Sequence, residues 1–151
     1  MDAKGKRSYT VLVVDDSKDD RFFIREVINR FPRFSIVGEA RDGEEAISYL
    51  SGFGAFAERE KYPLPDLVLL DLKMPKRDGF DVLKWLRTKS FPEMTVIVLS
   101  TSALGEDIGA SLALGAHGYW TKVVGVEKQN TIVGEIESLL DKRQRAAVTA
   151  S

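Results

Sequence analysis

Val11-Leu12-Val13-Val14-Asp15-Asp16-Ser17 sets four apolar residues in a row against an acidic pair, and this stretch decides the class of fold. Such a run, with no polar residue alternating through it, reads as a strand covered on both faces, the habit of parallel sheets. The form recurs in Leu67-Val68-Leu69-Leu70-Asp71 and in Val96-Ile97-Val98-Leu99-Ser100. Working outward, strands are expected over Tyr9–Val14, Ser35–Glu39, Asp66–Leu70, Thr95–Leu99 and His117–Thr121. Helical stripes fall between and after them. They are Phe23, Val27 and Phe31 with Ile24 and Ile28; Ala46, Ile47 and Leu50; Val82, Leu83 and Leu86; Ile108, Leu112 and Ala113; and Ile132, Ile136, Leu139 and Leu140. Five β–α repeats imply an α/β fold, a doubly wound parallel sheet with helices on both faces.

The 151 residues suit one domain, with 44% hydrophobic and 30% charged residues in an ordinary globular balance. Residues 9–140 form that domain, 1–8 an N-terminal extension, and 141–151 a helix end and tail expected to fray once the apolar stripe stops. Residues 51–65 (SGFGAFAEREKYPLP) make a long connection, read as a helix extension followed by a proline-bounded loop, in which Phe53 and Phe56 either cover the core or form a ridge for a partner. The net charge of −1 offers no basic field for nucleic acid or anionic lipid. Cysteine is absent and His117 is the only histidine, which excludes disulfides, thiolate chemistry and multi-histidine metal sites. Apolar runs stop at about four residues, far short of the ~20 of a spanning helix. Residues 1–7 lead into a strand rather than a signal-peptide core, so a soluble, cytoplasmic domain is expected.

Ligands of open parallel sheets bind beyond the carboxyl ends of the strands. Here those ends carry Asp15 and Asp16, Asp71, Ser100 and Thr101, and Lys122. Two carboxylates ~4 Å apart repel by roughly 4 kcal/mol at an effective dielectric near 20. Three without a cation force a proton onto at least one of them. A hard dication removes that cost, and an all-oxygen set favours Mg²⁺ or Mn²⁺ over zinc. With the metal and Lys122 balancing the charge, Asp71 can act as a nucleophile toward a phosphoryl group. Each residue alone also has a plain structural reading, since Ser17 or Asp16 can cap the first helix and acidic residues suit its macrodipole. Gly43 and Gly79, each after an aspartate, read as helix starts or turns.

Taken together, these segments resemble the response-regulator receiver domain of two-component signalling, over Tyr9 to Leu140. The most specific is Leu69-Leu70-Asp71-Leu72-Lys73-Met74-Pro75-Lys76-Arg77-Asp78-Gly79; Val13–Ser17, Val98–Ser102 and Gly115–Lys122 match the family's other motifs. The resemblance implies a flavodoxin-like sheet of order 2-1-3-4-5 with five helices. It implies phosphorylation of Asp71 by a histidine kinase or phosphotransfer protein, with Asp16, Asp71 and the Lys73 backbone carbonyl as direct metal ligands and Asp15 acting through a water. It assigns Ser100 as switch hydroxyl, Tyr119 as switch aromatic, Lys122 as the cation on the phosphoryl group, and Lys73 and Ser102 as residues tuning its lifetime. Stand-alone partners of bacterial phytochromes resemble it most in the long connection and in Leu99–Ser102. Output would then be a contact with a downstream target protein or a homodimer, with no enzymatic turnover, no nucleic acid and no membrane. One position departs from the family, because Val123 stands where a proline usually follows the lysine. That departure supports an alternative, a receiver-like binding module that works without phosphate. A phosphatase of the haloacid-dehalogenase type, the other alternative, would need two aspartates spaced by two after the first strand, and Asp15-Asp16-Ser17 lacks that spacing.

Overall fold

The computed structural model describes residues 5–150; Met1–Lys4 of the expected extension and Ser151 of the tail lie outside the described residues. The order of elements is β1 (Tyr9–Val14), α1 (Lys18–Ile28), β2 (Phe34–Ala40), α2 (Gly43–Ser51), a 3₁₀ turn (Gly54–Phe56), β3 (Leu67–Leu70), α3 (Gly79–Arg87), β4 (Thr95–Ser100), α4 (Gly105–Ala113), β5 (Gly118–Thr121) and α5 (Val126–Ala150). The strands form one sheet in the order β2-β1-β3-β4-β5, every pairing parallel. This is the flavodoxin-like topology the resemblance implied, with strands within one or two residues of those expected from the apolar runs.

Why the runs are continuous follows from the pleat, which sends alternate side chains to opposite faces. Leu12, Val14, Val68, Leu70, Val96 and Val98 enter one core with Ala46 and Leu50 of α2 and Val82 and Leu83 of α3. Val11, Val13, Leu67, Leu69 and Ile97 enter the other with Val27 and Ile28 of α1 and Val133 and Ile136 of α5. Each such side chain contributes about 1.5–3 kcal/mol when removed from water, so neither parity can be polar.

Two helices depart from their expected faces. Phe23, expected in the core stripe of α1, is 56% exposed; Val27 and Ile28 are the buried residues of that helix, and Ile24 packs partly against the same core. In α4 only Ser111 is buried, while Leu112 is 46% exposed. The reason is coverage: α4 lies near β5, a four-residue edge strand that is itself only half-buried. The long connection is not a helix extension, since α2 stops at Gly52 in the left-handed region (φ 70°) and the 3₁₀ turn follows. Its two phenylalanines divide the alternatives between them: Phe56 packs on Tyr49 and Tyr62, whereas Phe53 is 76% exposed.

Beyond Asp141, where the apolar stripe stops, α5 runs on to Ala150. Polar ties to the amino ends of the strands replace the lost apolar stripe. Asp141 accepts from the Arg33 guanidinium at 2.5 and 2.9 Å and from the Tyr9 hydroxyl at 2.6 Å. Arg143 donates to Thr95 Oγ1 at 2.8 Å, and Arg7 reaches Gln144.

Candidate functional site

The first strand delivers Asp15 into the sheet edge because its amide continues the ladder, donating to the Ala40 carbonyl at 3.0 Å. Asp71 does the same from β3, its amide donating to the Val14 carbonyl at 2.9 Å. Ser17 takes the cap of α1, its side chain accepting from the Asp20 amide at 3.1 Å, so the capping role falls to Ser17 and Asp16 is left exposed. Oxygen atoms of Asp15, Asp16 and Asp71 all lie within 4.8 Å of one another. Asp15 and Asp71 are buried, at 1% and 7% exposure.

Lys122 enters this cluster from the end of β5, where its amide donates to the Ser100 carbonyl at 2.8 Å. Its ammonium donates to Asp15 Oδ2 at 2.6 Å and to Asp20 Oδ2 at 2.8 Å, and stands 3.7 Å from Asp71 Oδ2. The lysine is thus in place with Val123 after it. Asp20 was missed from the sequence, where it reads as one more acid in the first turn of a helix. Only the approach of β5, 102 residues away, gives it a partner. Arg21 was missed likewise; it donates to the Asp15 carbonyl at 2.8 Å and pairs with Glu39 at 3.2 Å.

Burial pushes the Asp71 carboxyl up to about 6; Lys122 draws it down and Asp15 pushes it further up. For Lys122, burial pulls the ammonium down, but the hydrogen bonds to Asp15 and Asp20 and the charge of Asp71 outweigh it and hold the group above its usual value. Asp15, Asp16, Asp20 and Asp71 gather around the single ammonium of Lys122, more carboxylates than one cation can balance. An all-oxygen donor set of this kind fits a hard cation, and the triad can hold a divalent metal.

The remaining expected residues lie on the β4 side. Ser100 is 1% exposed, and its hydroxyl accepts from the Ser102 amide at 3.2 Å. The Tyr119 hydroxyl donates to the Ser102 carbonyl at 2.7 Å. The Ser102 hydroxyl donates to Asp107 Oδ2 at 2.5 Å and accepts from the Leu104 amide at 3.3 Å. Lys73 is exposed at the head of the β3–α3 loop. Beside Lys122 a largely apolar groove of about 580 Å³ opens between α1 and α5, with Phe23, Val124 and Val126 on its walls. No helix among the described residues is long and apolar enough to cross a membrane.

Known proteins share this fold. The response regulator receiver domain profile matches residues 11–134. Response regulator Rcp1 of Synechocystis is 35% identical over 129 residues, covering 85% of this chain and 86% of Rcp1. The nitrate/nitrite response regulator NarL of Escherichia coli is 35% identical over 113 residues, 75% of this chain, and the chain spans about half (47%) of NarL. Among solved structures, the phosphorylated cyanobacterial phytochrome response regulator RcpA superposes with a TM-score of 0.76 at 35% identity, covering 88% of this chain and 94% of RcpA. The Mn²⁺-bound form of Rcp1 gives 0.73 at 33% identity, covering 86% and 92%. Profile, relatives and topology agree: this chain belongs to the response-regulator receiver-domain family.

Proposed function

We propose that Asp71 is the phosphoacceptor of a cytoplasmic response regulator, charged by a histidine kinase or phosphotransfer protein in the presence of Mg²⁺ or Mn²⁺. The observation that carries the reading is the meeting of three carboxylates within 4.8 Å, two of them buried, with one ammonium 3.7 Å from the acceptor. The likeness to a Mn²⁺-bound form of Rcp1 supports the choice of metal. Asp15, Asp16, Asp71 and the Lys73 backbone carbonyl would hold the cation, which supplies charge stabilisation for the oxygens of the transferred group. An Asp71 carboxylate oxygen forms the new bond to phosphorus, and the bond from phosphorus to the donor atom breaks with its electron pair leaving on the donor. One acyl phosphate per chain results, so the protein is a stoichiometric acceptor, not an enzyme with turnover.

The switch follows from the hydrogen bonds around Ser102. Its amide is held by Ser100 and its carbonyl by Tyr119. A phosphoryl group brings up to about two negative charges and three strong acceptors. Lys122 shifts from Asp20 toward those oxygens, and the Ser100 hydroxyl turns to donate to one of them. Ser102 then loses its inner partner, Tyr119 follows, and the outer face of α4 is reshaped for a downstream target protein or a second copy of the chain. Intact mass after incubation with Mg²⁺ and a small acyl phosphate is the test. The expected result is one phosphoryl increment in the native chain and none in Asp71→Asn; labelling that survives Asp71→Asn would overturn the assignment.

A further inference from the structure

The first turn of α2 holds no part of the acidic cluster, yet it touches the loop that does. Three amides at the start of this helix have no partner within it, as at any helix start. The Glu45 amide is taken by Asp42 Oδ1 at 2.8 Å. The other two leave the element altogether: Gly43 donates to the Arg77 carbonyl at 3.0 Å and Glu44 to the Lys76 carbonyl at 3.2 Å. Lys76 and Arg77 are the only non-glycine residues at positive φ among those described, at 49° and 79°. Consecutive side-chain-bearing residues in that region are strained and persist only where neighbours hold them. The far side of the loop is fastened by the Gly79 amide on the Leu72 carbonyl at 2.9 Å. Residues 73–78, Lys73 included, are therefore strung between that fastening and the start of α2.

Gly43 makes the approach possible. A Cβ built there would stand 2.2 Å from the Arg77 carbonyl oxygen and 2.8 Å from its Cβ, a contact that only displacement of the loop backbone relieves. Gly43 is absent from the glycines at positive φ, so its own conformation does not require glycine. What requires it is the neighbour.

We propose that Gly43 is a positioning residue of the cation site: lacking a side chain, it lets the first two amides of α2 hold the Lys76 and Arg77 carbonyls, and through them the loop that presents the Lys73 carbonyl. This rests on the reading above, in which that carbonyl joins the three aspartates around the dication. Linkage makes the coupling reciprocal, so a cation that fixes the loop also protects the amides of Gly43 and Glu44. A purely structural glycine would show no such response.

The test is a calorimetric Mg²⁺ titration of the full chain, with hydrogen exchange read with and without the metal. Native protein is expected to bind saturably and to slow exchange at Gly43 and Glu44. Gly43→Ala is expected to bind about tenfold more weakly, the scale of losing an outer-shell partner, and to lose that metal-dependent protection. Should Gly43→Ala fail to fold, Glu44→Pro decides, because proline is accepted in a first helical turn and lacks the amide that donates to Lys76. About threefold or greater weakening supports the proposal. Native-like affinity in the folded variants, with unchanged protection, would refute it. A native chain indifferent to Mg²⁺ would instead refute the cation site itself.

Discussion

At the scale of single residues the site is a problem of unequal charge. Asp15 has a side chain only 2% exposed, and Lys122 is its cationic partner at 2.6 Å. Removing that partner strands a buried charge, so Lys122→Ala should cost about 3 kcal/mol in the metal-free protein. Urea unfolding would show the loss, and added Mg²⁺ should restore part of it. Asp71→Asn should act in the opposite direction and raise metal-free stability by about 2 kcal/mol, since it removes the carboxyl that burial and Asp15 push up to about 6. Asp20 is more exposed, at 38%, and Asp20→Ala should cost under about 1 kcal/mol while leaving Lys122 with one tether fewer. The sequence announced Asp15, Asp16, Asp71, Ser100 and Lys122 because each ends a strand, and strand ends in a parallel sheet converge. It was silent on Asp20, whose partner arrives from the other end of the chain. Nor did it show that Ser102, given a tuning role by the family resemblance, donates its hydroxyl to Asp107 at the start of α4.

Elements were legible in proportion to how completely they are buried. Strands of a doubly covered sheet admit only apolar residues, which is why four-residue runs were enough to place β1, β3 and β4. A helix meets the sheet along one side, and its remaining apolar residues carry no such constraint. Phe23 and Leu112 fitted a periodic stripe and yet face solvent, the first on the wall of a groove and the second on α4. The connection after α2 was the least readable, because its order comes from a cluster of Tyr49, Phe56 and Tyr62 and from one long side chain. The Arg59 guanidinium donates to the carbonyls of Tyr49 at 2.8 Å, Leu50 at 2.7 Å and Tyr62 at 3.1 Å, sealing the end of the helix. Arg59→Ala should destabilise the fold by about 2 kcal/mol, the range for hydrogen bonds from a charged donor. Thermal unfolding would give that figure, and Asp71 labelling should be unaffected.

Across the whole molecule, acid should act on the amino ends of the strands in two stages. Burial, together with Arg143, holds His117 below its ordinary 6.5, so its stabilising contribution is complete above that value and fades as pH falls beneath it. The hydrogen bonds from Arg33 hold the Asp141 carboxyl below its ordinary 3.8, so that contribution is kept above about 4 and lost only in stronger acid. Urea midpoints taken from pH 8 down to pH 3 should therefore flatten below about 6.5 in His117→Gln, and only below about 4 in Asp141→Asn. While those ties hold α5 firmly, α4 has almost nothing to lose. With a single buried residue, a serine, it can tilt or slide without opening a cavity in either core. Coupling energies between protein sites run to only about 1–3 kcal/mol. A signal that weak can rearrange a segment only where the rearrangement is nearly free, and scarcity of anchorage is what makes this helix the cheapest part of the chain to move.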